Sequence, residues 1–481
     1  MPAFLAFRPD AGELLSSEIS NVLMTAGGYG PRPTLTAAPG ADALAAAPRG
    51  AFGGFLPNGT FKGFVATASE IYTLDADYGY TALSASLSVP TDEDEVIGQF
   101  GIYMLATNTS DGMQAYNMDT PAGIAAVSGA PDARYLFTAN NQVIALGDGA
   151  TALNDLNISA FGNHTDWSGV GADSQTVTTG GAFTGGGDLG GGAAILLQLR
   201  SVKVMRFGNA GGGALFRLDT LADDVGCVHP RSQVTYNGVC YFLHTDGFYA
   251  ANGNGPPVNI GANKVNKWFL ARCADLTKAS ASVDPKNTVI RWRYPASGDG
   301  STATVYNSIL DYNWVTGEFI PGTEATSAIF RMGTPGYNIG TISSAFGALS
   351  NWSQYPLGSA FWQGGNFRLA GLDSSYKFGF FEGSNAAAYE ETATLGDGTS
   401  YLFNFCEPLT DDTSATVTLS VKNSLSASLD PQDASSIQTS GRAPLRGRGK
   451  YFRLKLNHAA GADWTKASSI EGIDKRAGGP R

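Results

Sequence analysis

Charge is scarce in this chain. Asp, Glu, Lys and Arg supply 15% of 481 residues, against roughly 25% in an average soluble domain. Cysteine is scarcer still, with only Cys227, Cys240, Cys273 and Cys406. Four thiols in so long a chain do not describe a disulfide scaffold, and they fit a reducing compartment. Long apolar runs are missing as well. The most apolar stretch, "GAAILLQLRSVKVMRF", is interrupted by Gln198, Arg200 and Lys203, so no membrane-spanning segment of about eighteen residues is expected. The N-terminal "MPAFLAFRPDAGELLSSEIS" lacks a basic segment followed by a continuous apolar core, and no export signal is expected. What the chain has instead is glycine, 62 residues without a collagen period, and aromatics at 11%. Few charges, many turns and many strand-forming aromatics predict an all-β protein rather than a helical one.

The charge that is present is divided unevenly. Residues 441–481 hold ten basic and three acidic side chains, and residues 1–440 hold 21 basic and 39 acidic, so a tail of +7 follows a body of −18. An acidic body argues against tight wrapping by DNA, because phosphate neutralisation supplies most non-specific affinity. It is compatible with a surface past which DNA slides.

A strand–turn–strand unit recurs along residues 61–75, 99–118, 134–146, 194–218, 236–251 and 288–320. In "YNGVCYFLHTDGFYAANG" the turn falls at Thr245-Asp246-Gly247, and in "RYLFTANNQVIAL" at Asn140-Asn141. Successive units begin 35 to 60 residues apart, near the roughly 40–50 of four-stranded propeller blades. Small twisted sheets bury both faces only by stacking radially on neighbours. This pattern by itself leaves a propeller and a pair of sandwiches open, and it gives about six candidate units. Residues 151–193 lose the pattern in a Gly/Thr/Ser-rich stretch that is expected to be an exposed insertion. Beyond residue 325, Val417, Leu419 and Val421, then Phe452, Leu454 and Leu456, alternate with polar residues. That period predicts a second, half-buried antiparallel sheet with Arg453 and Lys455 facing outward. A strand pair is expected about Asp373-Ser374.

No active site can be assembled from the sequence. Cys227, His229, Cys240 and His244 are the one set with metal-ligand chemistry, but their spacing matches no zinc knuckle, and small buried cysteines are ordinary core residues. Asp173 with Asp188, or Asp223 with Asp224, would be candidate carboxylate pairs for glycoside hydrolysis; turn aspartates explain them more cheaply. Gly185-Gly186-Gly187 lacks the Lys and Ser of a phosphate loop. Asp92-Glu93-Asp94-Glu95 reads as a solvated turn before a strand, with a calcium site as the alternative.

Four stretches, "FLPNGTFKGFVATASEIYTLD" (55–75), "QFGIYMLATNTSDGMQAYNMDT" (99–120), "HPRSQVTYNGVCYFLHTDGFYAANGNGPPVNIGANKVNKWF" (229–269) and "GRGKYFRLKLNHAAGADWTKASSIEGIDKRAGGPR" (447–481), occur in an order that resembles the tail nozzle, or tail-hub, family of short-tailed bacteriophages, which includes the packaged-DNA stabilisation proteins. The resemblance implies an N-terminal arm over 1–40 that contributes to closure or platform. It implies a propeller-like domain of about six blades over 41–325, interrupted by the 151–193 insertion, and a β-sandwich-like platform or tail-tube domain over 326–481. It also implies a structural protein of the virion tail, made in the bacterial host cytoplasm, with no catalytic residue, cofactor or metal. Such a protein would form a ring, commonly hexameric, beneath the portal and its adaptor. Double-stranded DNA would pass transiently through it, and fibres, spikes or a terminal plug would attach to it. Stable membrane insertion is not expected. The basic group Arg442, Arg446, Arg448, Lys450, Arg453 and Lys455 would meet an acidic neighbouring subunit or adaptor; simple solvation of a strand face and contact with DNA are the alternatives. A carbohydrate-binding or polysaccharide-degrading propeller is the alternative, and a secreted adhesin a more distant one.

Overall fold

Two-residue turns in left-handed backbone set the register of the hairpins. Asn140 and Asn141 have φ of 50° and 57°, and Asn237 and Gly238 have 49° and 75°. Asn and Gly reach that region at little cost, and its twist matches that of the strands it joins. The turns link Tyr135–Ala139 to Gln142–Asp148 and Gln233–Tyr236 to Val239–His244. The computed structural model describes residues 4–12, 16–25, 27–38, 40–75, 78–208, 215–333 and 367–477. Among these, such hairpins build seven four-stranded antiparallel sheets, the blades of a β-propeller, and one further ten-stranded sheet. The stretch 236–251 is the centre of blade five, with Val239–His244 and Gly247–Ala251 joined at Thr245-Asp246.

Seven blades, not about six, make the ring: the six units read in the sequence fall in blades one to six, and blade seven is the addition. The expected insertion at 151–193 is not an insertion: Ala152–Ile158 and Asp173–Thr176 are the outer strands of blade three, and Phe183–Gly190 is the first strand of blade four. This strand reads "FTGGGDLG" because it is wedged between its neighbours. A Cβ on Gly186 would lie 2.7 Å from Phe137 of blade three, and one on Gly187 would lie 2.3 Å from Thr235 of blade five. Blade seven lies past residue 325, in Ala328–Gly333, Phe367–Leu372 and Phe378–Asn385. Its last two strands pair about the Asp373-Ser374 turn; residues 355–366 of the stretch read with them lie outside the described residues.

The fourth strand of blade seven comes from the other end of the chain. Four short strands open the sequence: β1 (Glu18–Ser20), β2 (Val22–Thr25), β3 (Gly28–Pro31) and β4 (Pro33–Ala37). β4 pairs with Phe378–Asn385 and closes the ring. β1, β2 and β3 belong instead to the ten-stranded sheet, with Ala388–Glu391, Leu395–Thr410, Thr416–Lys422, Ala443–His458, Ala467–Ala477 and two short segments. This single sheet replaces the expected sandwich and is nearly closed on itself. It curls around one core in which Ile19, Val22, Phe452, Leu454, Leu456 and Trp464 meet. The periodicity over Val417–Val421 and Phe452–Leu456 does face this core.

The N-terminal segment also fastens platform to propeller. Phe7 bridges to Phe319 of blade six. Both carboxylate oxygens of Asp10 accept hydrogen bonds from the helix α1 (Asn266–Arg272), at Lys267 N (2.8 Å) and Trp268 N (3.0 Å). That helix has no capping side chain of its own, so a residue 257 positions away satisfies its first donors. Arg32, between β3 and β4, is buried and donates to Asn21 Oδ1 (2.6 Å) and to Thr323 O of blade six (2.8 Å). Between blades the fill is aromatic: Phe248 contacts Phe269, Trp292 and Phe319 at centroid distances of 4.7–5.4 Å, and each such ring contributes about 1.5–3 kcal/mol by burial.

Inside the platform His458 stacks on Trp464 at 4.0 Å, with Nδ1 2.7 Å from Asp412 and Nε2 3.2 Å from Glu390. Burial alone would lower the imidazole pKa, but the hydrogen bond and charge of Glu390, followed by those of Asp412, hold it above its ordinary value. Replacing Asp10 by alanine should lower unfolding free energy by about 1 kcal/mol, read by denaturant titration. A group whose pKa rises on folding stabilises most below its unfolded pKa, and that stability fades as pH rises through the folded one. The advantage of the native chain over His458→Gln should therefore be full near pH 6 and shrink at pH 9, measured by thermal unfolding at both pH values.

Candidate interaction surface on the platform

The strand Ala443–His458 carries the basic group identified in the sequence, and its glycines explain which way the cations point. A Cβ at Gly447 would come 2.8 Å from Leu419, and one at Gly449 would come 2.8 Å from Val421. The inner face here has no room for side chains, while Arg446, Arg448 and Lys450, alternating with those glycines, are exposed on the outer face. Leu402 of the adjoining strand is opposite Arg448 on one side and opposite Arg476 on the other. Three residues thus stand abreast, an exposed apolar side chain between two guanidinium groups. Arg448 Nε donates to Ser400 Oγ (3.2 Å). Arg442, at the head of the strand, pairs with Glu407 (2.8 Å) and covers the Phe405 ring. Residues two apart along a strand are separated by about 6.6 Å, so the like charges of Arg446, Arg448 and Lys450 repel one another.

The other two members of the group do not join this row. Arg453 is buried rather than outward, because side chains from β1 and from Ala388–Glu391, the strand β1 pairs with, close over it. Its Nη1 lies 3.3 Å from Glu18 and 3.4 Å from Glu391, and its Nε donates to Thr394 (2.9 Å). Lys455 is half-buried with its ammonium 3.6 Å from the Tyr389 ring centroid. Arg476 and Leu402 were not singled out in the sequence. Arg476 stands in the short charged run Asp474-Lys475-Arg476 and Leu402 between Tyr401 and Phe403, and only strand register brings them beside Arg448.

The remaining candidates disperse. Cys227 Sγ contacts His229 O and Ser232 Oγ, Cys240 lies 3.6 Å from Gln233, and His244 Nδ1 is 2.8 Å from Gly226 O. Burial pushes the Cys227 thiol up to about 11 and that of Cys240 up to about 12. Asp173 and Asp188 belong to different blades, and Asp188 accepts from Gly190 N in its own hairpin turn. Asp92 is exposed, but Glu93 and Glu95 are buried, so the acidic run is not a solvated turn: it bends towards the propeller axis, where arginines draw it in. Among the described residues, no helix is long and apolar enough to cross a membrane.

The arrangement is that of a seven-bladed propeller with a platform built from both ends of the described chain. No protein-family model matches the sequence, and no curated protein does. Among solved structures the chain is similar to BamB from Moraxella catarrhalis, with 12% identity over 66% of this chain and 88% of that one and a TM-score of 0.36. It is similar to YCF48 bound to D1 peptide, with 9% identity over 60% and 87% and a TM-score of 0.35. A third is PorZ, a surface component of the type-IX secretion system of Porphyromonas gingivalis, with 13% identity over 60% and 39% and a TM-score of 0.34.

Arg453→Glu should unfold the platform rather than only alter its surface. Breaking a buried ion pair costs about 3–5 kcal/mol, whereas Arg448→Glu should stay within about 0.5 kcal/mol of the native chain. Calorimetric Tm values for the two variants check this.

Proposed function

We propose that this protein is a structural subunit of a ring in the short tail of a bacteriophage, placed beneath the portal and adaptor along the route by which double-stranded DNA leaves. The observation that supports the reading is the segregation of charge: a row of Arg446, Arg448, Lys450 and Arg476 on the outer face of the platform, on a chain whose first 440 residues carry −18. A basic face on one subunit and an acidic face on the next make a heterologous contact, the kind that closes a ring by rotation. Closing such a ring also covers the exposed Leu402. In this reading six copies assemble, the adaptor meets one end, and fibres, spikes or a plug meet the other. The chain works by shape and charge and catalyses nothing.

The alternative reading, polysaccharide recognition, would need open aromatic platforms. The cleft between propeller and platform, about 610 Å³, contains Trp268, Tyr294 and Tyr389. Arg272 already covers Trp268 at 4.9 Å, Lys455 covers Tyr389 and Tyr294 is buried, so none of the three offers an open platform for sugar stacking.

The triple variant Arg446→Glu, Arg448→Glu, Lys450→Glu should keep the native Tm within about 2 °C and lose ring formation, alone or on added portal–adaptor complex. Multi-angle light scattering and negative-stain images read the outcome. Rings of normal size from the triple variant would refute the contact, and a native chain that stays monomeric with the complex present would refute the reading as a whole.

A further inference from the structure

The end of the propeller axis at which the innermost strands begin holds a cavity of about 210 Å³. Six of the seven blades reach it, blade four being the exception. Its size is below the roughly 300–1,000 Å³ typical of drug-sized ligand sites, so it suits a small ion rather than a chain or a sugar.

Four guanidinium groups line it: Arg49, Arg134, Arg231 and Arg293. Against them stand the three carboxylates of the loop before blade two. Asp94 is in direct ion-pair contact with Arg231, and Glu93 lies 3.8 Å from Arg134. Arg49 and Arg293 hold only uncharged acceptors at hydrogen-bond distance. Arg49 Nη2 donates to Pro90 O (2.5 Å), and Arg293 donates to Ser280 Oγ (2.9 Å) and Thr326 O (2.8 Å). Arg49 Nε and Glu95 Oε1 are buried polar atoms without a hydrogen-bond partner. Burial, with the neighbouring Asp111, Asp94 and Glu93 charges, outweighs the Asn108 hydrogen bond and raises the Glu95 carboxyl to about 7. Burial, then the Arg231 charge, lowers His229 to about 3 and keeps its imidazole neutral. Asp94, whose carboxylate oxygens also lack hydrogen-bond partners, acts electrostatically on Arg49 and Arg293 as well as on Arg231. Glu93, Asp94 and a partly protonated Glu95 thus face four guanidinium groups, and the positive charge they leave unbalanced is costly to bury.

We propose that the axial cavity binds one small oxyanion, phosphate or a compact carboxylate, between Arg49 and Arg293, with Arg231 at its rim. Guanidinium forks match the planar edge of either group through charge-assisted hydrogen bonds. The anion joins blades one and six, the two neighbours of blade seven, so occupancy reinforces the ring at the end where the acidic loop enters.

The test uses the full chain at constant ionic strength. Isothermal titration calorimetry with inorganic phosphate should show one site per chain that Arg49→Gln weakens about tenfold or more, while a distant exposed replacement, Arg217→Gln, leaves it unchanged. Thermal unfolding in chloride should be the same for Arg49→Gln and the native chain, which separates lost binding from lost folding. Competition by citrate distinguishes the sources: stronger binding of citrate assigns a carboxylate, stronger binding of phosphate a phosphate. No saturable phosphate or citrate binding by the native chain overturns the proposal. So does binding that Arg49→Gln leaves intact, or a preference of the same cavity for calcium or magnesium over either anion.

Discussion

A propeller is a ring of sheets, and a ring made from a linear chain must be held shut where its ends meet. Here the clasp is β4, which lies against Phe378–Asn385 and supplies the outermost strand of blade seven. Its position is bound to that of the platform, since only Arg32 separates it from β3. Arg32 is buried and shared between Asn21, on the platform side, and Thr323 of blade six. Burial and the nearby Arg291 charge depress its pKa to about 10, so it remains a cation in neutral solution and draws on Glu324 and Asp311 for balance. Strand pairing closes the ring, and the Arg32 network fixes the ring to the sheet beside it.

The central hairpins were legible because their chemistry is local. Asn140-Asn141 and Thr245-Asp246 turn the chain where they stand, and alternation over Val417–Val421 marks a buried face without reference to any neighbour. What could not be read depended on packing across distance. The glycines of Phe183–Gly190 resemble a loop until Phe137 and Thr235 are seen pressing on both sides. Arg453 resembles an outward strand residue until Glu18 of β1, from the far end of the sequence, reaches it from one strand away. Asp92–Glu95 has the composition of a solvated turn, and only blade closure brings Arg134 and Arg231 within reach.

Cations in this molecule do two kinds of work, and sequence spacing does not separate them. Arg32, Arg291 and Arg453 are internal; Arg291 forms a bidentate pair with Asp311 at 2.6 Å, shielded by the Phe381 ring. Such pairs add little net stability over well-packed apolar side chains, although breaking one is costly. Arg446, Arg448 and Lys450 sit on a strand whose alternate positions are glycine, which turns the whole row outward. The same strand passes from one use to the other within three residues, between Lys450 and Arg453.

Because β4 pairs with a strand that begins about 340 residues later, the order of synthesis leaves the clasp waiting. At roughly 5–20 residues per second, a ribosome needs about 20–70 s to deliver the partner. During that interval β1 to β4 have no sheet to join and six blades stand as an open arc with bare edges. The unpaired edges of such an arc invite pairing between neighbouring nascent chains. Copies made side by side are therefore open to tangling before any single one is complete.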